Sequence, residues 1–257
     1  MTLIDTHTHL FVEQFDEDRS ETIQRAIDAG VQKMLLPNID VESIDSMHQL
    51  CADFPNHCLP MMGLHPCSVK ENWKADLEIV RKNLFSRKYV AVGEIGVDLY
   101  WDKSTLDIQQ KAFAQQIEWA KELKLPIVIH VREAFDETFE IVDRLNDENL
   151  TGVFHCFTGT IEQANHILEY GGFKLGLGGV LTFKNSGLDK TVSEIGMEHF
   201  VLETDSPYLA PSPHRGKRNE TSYITYVASK LAEVKGIRIE EVAEITTSNA
   251  MELFPLN

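Results

Sequence analysis

Cysteine, basic residues and long apolar runs are all scarce in this chain, and each shortage removes a class of protein. Four cysteines, Cys51, Cys58, Cys67 and Cys156, are spread through 257 residues with no CxxC pair and no regular spacing. That excludes a disulfide-stapled scaffold and a thiolate zinc module, and the thiols are read as reduced. A chain this long buries roughly three-quarters of its unfolded surface and needs no such staples. No apolar stretch is long enough to span a bilayer, and no basic segment leads into one. Neither a membrane span nor an ordinary signal peptide is therefore expected, and the cytoplasm is the expected location.

Positive charge is the other shortage, with 24 Lys and Arg against 40 Asp and Glu and a net charge of −16. Such a field repels nucleic acid at long range. It argues against a protein that merely coats DNA, which needs a basic face. A phosphodiesterase is less affected, because divalent metals supply positive charge where the phosphate sits. Also missing are a GxSxG nucleophile elbow, a P-loop, and any linker or low-complexity run. Residues 1–257 therefore read as one domain, with no organic cofactor expected.

What recurs is a strand-then-helix alternation. Apolar runs rich in Val, Ile and Leu lie near residues 2–7, 31–37, 59–64, 89–94, 126–131, 151–156, 173–178 and 199–204. Most are followed by stretches of helical period, such as Arg19 to Ala29 and Ile108 to Leu123. Eight continuous apolar strands imply a parallel sheet covered on both faces, and eight suit a closed (β/α)8 TIM-type barrel better than an open sheet.

The polar exceptions fall at the C-terminal ends of the predicted strands. Strand one ends in Asp5-Thr6-His7-Thr8-His9 and strand four in Gly93-Glu94-Ile95-Gly96. Strands five, six and eight end in His130-Val131-Arg132, His155-Cys156 and Glu203-Thr204-Asp205-Ser206. In a barrel these ends converge on one face, where active sites lie. Alternation along a strand gives Asp5, His7 and His9 a common direction, and imidazoles at the mouth suit a divalent transition metal. Glu94, alone in an apolar strand, must be paired or bind metal, and a bridge between two metals is the favoured role. Asp205 shares a face with Glu203. It can bind a metal and accept a proton from water, with Glu203 and Asp5 behind the ligands. His65, in Gly63-Leu64-His65-Pro66, ends strand three and can reach a substrate oxygen. The few cations cluster suggestively: Arg132 and the loop carrying Arg215, Lys217 and Arg218 form an expected phosphate clamp, with Lys184 a weaker candidate. Tyr100 and Trp101 either stack on a base or cover the rim. His48, His57, His166 and His199 receive no function, and Cys156 reads as packing.

These motifs together resemble the TatD family of metal-dependent deoxyribonucleases, within the amidohydrolase-like metal hydrolases. The resemblance runs through Asp5 to Leu10, Gly63-Leu64-His65-Pro66, Gly93 to Asp98, Pro126 to Ala134, His155 to Gly159, Glu203 to Leu209 and His214 to Glu220. It implies a TIM-type barrel, divalent-metal dependence and hydrolysis of DNA phosphodiester bonds, often from a 3′ end. It carries ligand roles onto His7, His9, Glu94, His130, His155 and Asp205. Thr221, Cys67 and Val97 depart from the usual pattern without removing a ligand, although Thr221 puts the shape of the substrate loop in doubt. The expected site holds two divalent ions (Zn, Mn or Mg). His7, His9 and Asp205 hold one, His130 and His155 the other, and Glu94 joins them, while Asp205, Glu94 and His65 serve catalysis. DNA is the expected substrate and a monomer the expected state. An amidohydrolase reaction on a C–N or lactone bond is the alternative with the same ligands. A non-catalytic metal-binding protein is the second alternative.

Overall fold

The structure, a computed structural model, describes residues 1–256. Eight parallel strands alternate with helices. The strands are β1 (Leu3–Asp5), β2 (Val31–Pro37), β3 (Cys58–Met61), β4 (Val92–Asp98), β5 (Ile127–Arg132), β6 (Gly152–Phe154), β7 (Phe173–Leu177) and β8 (Phe200–Leu202). The helices are α1 (Arg19–Asp28), α2 (Ile44–Asp53), α3 (Trp73–Ser86), α4 (Leu106–Leu123), α5 (Phe135–Leu145), α6 (Ile161–Glu169), α7 (Leu188–Glu194), α8 (Ile224–Lys235) and α9 (Ile239–Leu253). Local chemistry fixes several ends. Thr160 and Gln163 form a reciprocal capping box at the start of α6, and α8 stops where Gly236 turns left-handed at φ 66°.

The barrel is built from two ladders, β1-β2-β3 and β4-β5-β6-β7-β8, and no continuous ladder crosses the two seams between them. Single backbone hydrogen bonds bridge the seams. Val90 N donates to Pro60 O at 3.0 Å and Gly93 N to Met62 O at 3.1 Å, while Thr6 N donates to Leu202 O at 3.0 Å and Asp205 N to His7 O at 2.9 Å. Inside the ring, Ile4, Leu35, Met61, Val128, Val153 and Val201 pack as one layer with Val90 and Ala91. Ala250 of α9 and Phe254, the residue just past its end, join this layer. The Thr247 hydroxyl, which donates to Thr2 O, ties the same helix to the N-terminal end of the strands. A larger apolar layer lies between strands and helices, and α4 contributes Phe113, Ile117 and Ala120 to it.

Two boundaries differ from expectation. β3 stops at Met61, so His65 stands in the segment beyond it and not at the strand end. β4 runs on to Asp98 because Ile95 and Val97 still bury against the helical layer, which makes Glu94 a mid-strand residue.

Candidate metal centre

Strand alternation explains three of the contributing strands. His130 and His155 stand two residues beyond Val128 and Val153, and Glu203 two beyond Val201, so all three share the face of the inner layer. β1 breaks the pattern. Ile4 is the inner residue there, so Asp5 does not share the direction of His7 and His9, contrary to expectation. Its carboxylate instead accepts from the Thr204 hydroxyl at 2.6 Å and from Thr204 N at 3.0 Å, bracing β1 against the end of β8. Regular pairing ends at Asp5, after which Thr8 N donates to Leu35 O at 3.1 Å and His9 N to Ser206 O at 2.8 Å. This irregular segment brings both imidazoles to the mouth.

Glu94 is the hub. Its Oε2 lies 3.1 Å from His7 Nε2 and 3.5 Å from His9 Nε2. Its Oε1 lies 2.7 Å from His130 Nδ1, 3.0 Å from His155 Nε2 and 3.3 Å from His65 Nε2. Asp205 Oδ1 completes the first group, 3.7 Å from His7 Nε2 and 3.5 Å from His9 Nε2. Glycine makes room for this crowding. A Cβ on Gly93 would come 2.7 Å from Cβ of Val128, and one on Gly176 would come 2.3 Å from Glu203 Oε2.

Burial and mutual charge set the ionisation. Burial would raise the Glu94 carboxyl, but the surrounding His155, His65 and His7 hold it well below the usual carboxylate range. Burial, then the neighbouring His155, pulls His7 down. For His9 burial is outweighed by hydrogen bonds to Asp205 and Glu94, which push it up to about 9. Burial raises Asp5 to about 7 against its bonds to Thr204 and His7.

The residues fit a divalent cation. His7 and His9 nitrogens 3.2 Å apart, with the carboxylate distances above, match the edges of a tetrahedron whose donors sit about 2.0–2.2 Å from its centre. Bare nitrogens and carboxylate oxygens so close together in a buried cluster repel unless protons or a cation separate them. His130 presents Nδ1 because its Nε2 is engaged by Asp98 Oδ2 at 2.8 Å. His65 presents Nε2 because Cys67 N donates to its Nδ1 at 3.0 Å. Glu203 lies behind His155, where its Oε1 accepts from Cys156 N at 2.5 Å; its Oε2 has no hydrogen-bond partner among the described residues.

Asp98 had no assigned role in the sequence, although it lies four residues beyond Glu94 on one strand. The extension of β4 was the missing signal. The expected phosphate clamp is divided by the structure. Arg132 and Arg215 are exposed and lie over aromatic rings, Tyr100 at 3.6 Å and Phe183 at 3.5 Å, and Lys217 is exposed. Arg218 is committed elsewhere. Its two terminal nitrogens each donate to one oxygen of Asp18 at 2.7 Å, a bidentate pair that removes it from the clamp. Lys184 lines a cleft of about 550 Å³ with Phe183 and Arg215. Thr221 is buried against Thr8, hydroxyl to hydroxyl at 3.1 Å, so the departure at this position ties the loop down.

Comparison with known proteins identifies the family and the fold. The sequence model of a family described as TatD related DNase matches residues 4–255. The uncharacterized metal-dependent hydrolase YabD of Bacillus subtilis is 40% identical over 256 residues, covering 99% of this chain and all of that one. The 3′-5′ ssDNA/RNA exonuclease TatD of a Rahnella species is 31% identical over 251 residues, covering 95% of each chain. The crystal structure of YjjV, a TatD homolog from Escherichia coli, superimposes with a TM-score of 0.92 at 30% identity and 98% coverage of both chains.

Proposed function

The chain belongs to the TatD-related DNase family of metal-dependent hydrolases, and on that premise we propose that it hydrolyses phosphodiester bonds of DNA, preferring single strands and 3′ ends. The observation that carries this reading is the division of Glu94, one oxygen toward His7 and His9 and the other toward His65, His130 and His155. In this reading His7, His9, Asp205 and one Glu94 oxygen hold one divalent ion. His130, His155 and the other Glu94 oxygen hold a second. Ions bound there supply Lewis acidity at phosphoryl oxygens and acidify the attacking water. Asp205, whose side chain keeps 13% of its surface exposed against 0% for His7 and 4% for His9 beside it, orients that water and accepts its proton. His65 steadies a phosphate oxygen. Arg132, Arg215 and Lys217 offset phosphate charge at the rim, which an acidic protein needs locally. Asp5 and Glu203 brace the strand ends. The nucleic-acid substrate named for the Rahnella relative supports the choice of polymer.

The test uses metal-stripped protein reloaded with Mg, Mn or Zn and assayed on end-labelled single-stranded DNA, beside Glu94→Ala and Asp205→Asn. Metal should restore cleavage in the parent protein and fail to do so in Glu94→Ala. Asp205→Asn should keep the fold and most of the metal while losing turnover. Absence of cleavage with every metal, despite metal binding, would overturn this reading and make C–N or lactone hydrolysis the next activity to assay.

A further inference from the structure

Tyr100 and Trp101 follow the buried Leu99 in the loop after β4 and join neither apolar layer. Trp101 is 73% exposed and Tyr100 47%, so the pair does not serve to cover the rim. The two rings meet edge to face with centroids 4.8 Å apart. Arg132, the last residue of β5, lays its guanidinium carbon 3.6 Å from the centre of Tyr100 and 5.7 Å from that of Trp101. This cluster is tied to the metal centre through one carboxylate. Tyr100 N donates to Asp98 Oδ1 at 2.9 Å, and Asp98 Oδ2 meets His130 Nε2 at 2.8 Å. Arg132 also follows His130 by two residues on the same strand face, a step of about 7 Å. A flat apolar surface edged by a cation thus stands roughly one nucleotide from the donor cluster. With a net charge of −16, the chain cannot gather a strand through its overall field, so stacking and local cations must hold it.

We propose that Tyr100, Trp101 and Arg132 form a stacking subsite for the base beside the scissile phosphate of a single strand. Trp101 offers its exposed ring to the base, and Arg132, stacked on Tyr100, faces the phosphate. Every base has a flat face, so the subsite tolerates any sequence. It disfavours duplex, whose bases are already stacked. The inference rests on the phosphodiesterase reading.

Its test compares kcat/KM of the metal-loaded protein on two end-labelled single strands of equal length. One is an ordinary deoxyoligonucleotide and the other is built throughout of tetrahydrofuran abasic residues. Trp101→Ala should cost about tenfold on the ordinary strand and less than about twofold on the abasic one, and Trp101→Phe should recover most of the loss. Equal losses on both strands, or none on either, overturn the subsite. A sedimentation change on Trp101→Ala with both strands cleaved as before also overturns it, assigning the patch to contact with a second copy of the chain. If the unmodified protein cleaves neither strand with Mg, Mn or Zn, the phosphodiesterase reading falls. Fluorescence then decides the subsite. Quenching present in the parent, absent in Trp101→Phe and caused only by the ordinary strand supports it, and equal quenching by both strands overturns it.

Discussion

Asp98→Asn isolates the group that decides which nitrogen His130 offers. Asp98 is 2% exposed, and both of its oxygens are engaged. Oδ1 accepts from Tyr100 N at 2.9 Å and Oδ2 meets His130 Nε2 at 2.8 Å. Burial would raise its carboxyl, but the hydrogen bond and charge of His130 bring it down to about 2, so it is an anion at neutral pH. An anion can only accept, which keeps the ring hydrogen on Nε2 and leaves the Nδ1 electron pair facing Glu94. Asparagine has one acceptor and one donor. If its carbonyl keeps Tyr100 N, its amide group donates to His130 Nε2, the ring hydrogen moves to Nδ1, and the electron pair a metal needs is gone. If the amide is reversed, the Tyr100 N–H is left without an acceptor, at about 1–3 kcal/mol. Outer groups of this kind are worth about 10- to 100-fold in metal affinity, or roughly 1.4–2.7 kcal/mol. Calorimetric titration of stripped protein with Zn or Mn should show that loss, with turnover falling in parallel. Asp102→Asn is the control, because that carboxylate only caps the next turn, accepting from Ser104 N at 2.9 Å. Equal metal affinity, stoichiometry and turnover in Asp98→Asn and the parent would refute the argument.

Gly176→Ala would push a Cβ to 2.3 Å from Glu203 Oε2 and 3.1 Å from Cα of His155; thermal unfolding should show a loss of about 1–3 kcal/mol, with reduced metal content, and an unchanged Tm would exclude the clash. Arg218→Ala should lower Tm by roughly 2–4 °C for the about 1 kcal/mol of a partly exposed bidentate pair, while leaving turnover nearly intact. The pH dependence has a definite sign. Arg218 hydrogen bonding, against a smaller burial effect, holds the Asp18 carboxyl below its usual range. Its stabilisation is therefore present above the unfolded carboxyl's value of about 4 and lost as pH falls below that. The parent's advantage over Arg218→Ala should shrink on acidification, and a gap constant down to pH 2 would contradict this. Metal at about 100 times its Kd should stabilise the stripped protein by about 2.7 kcal/mol, read as a rise in Tm that a chelator reverses and Glu94→Ala lacks.

Sequence alone carried the alternation of strand and helix and the barrel class, and it marked most of the side chains that gather around Glu94. Strand parity is a local property, so His130 two residues past Val128 and His155 two past Val153 could be read directly as facing inward. An ionisable residue such as Glu94 inside an apolar strand is costly anywhere, which made it legible without coordinates. Tertiary structure decided what depended on partners distant in the chain. Asp5 was assigned to the wrong side because β1 stops pairing there and its carboxylate finds Thr204, 199 residues away. Arg218 looked like a free cation until Asp18, 200 residues away, took both of its terminal nitrogens. Asp98 became visible only when β4 proved to continue past Glu94, where Ile95 and Val97 meet the helical layer. His65 lies past the end of β3 at Met61, and Cys67 N, donating to Nδ1, holds its ring with Nε2 toward Glu94. Periodicity fixes which face a side chain takes, whereas a hydrogen bond or ion pair between remote segments depends on the packing that brings them together.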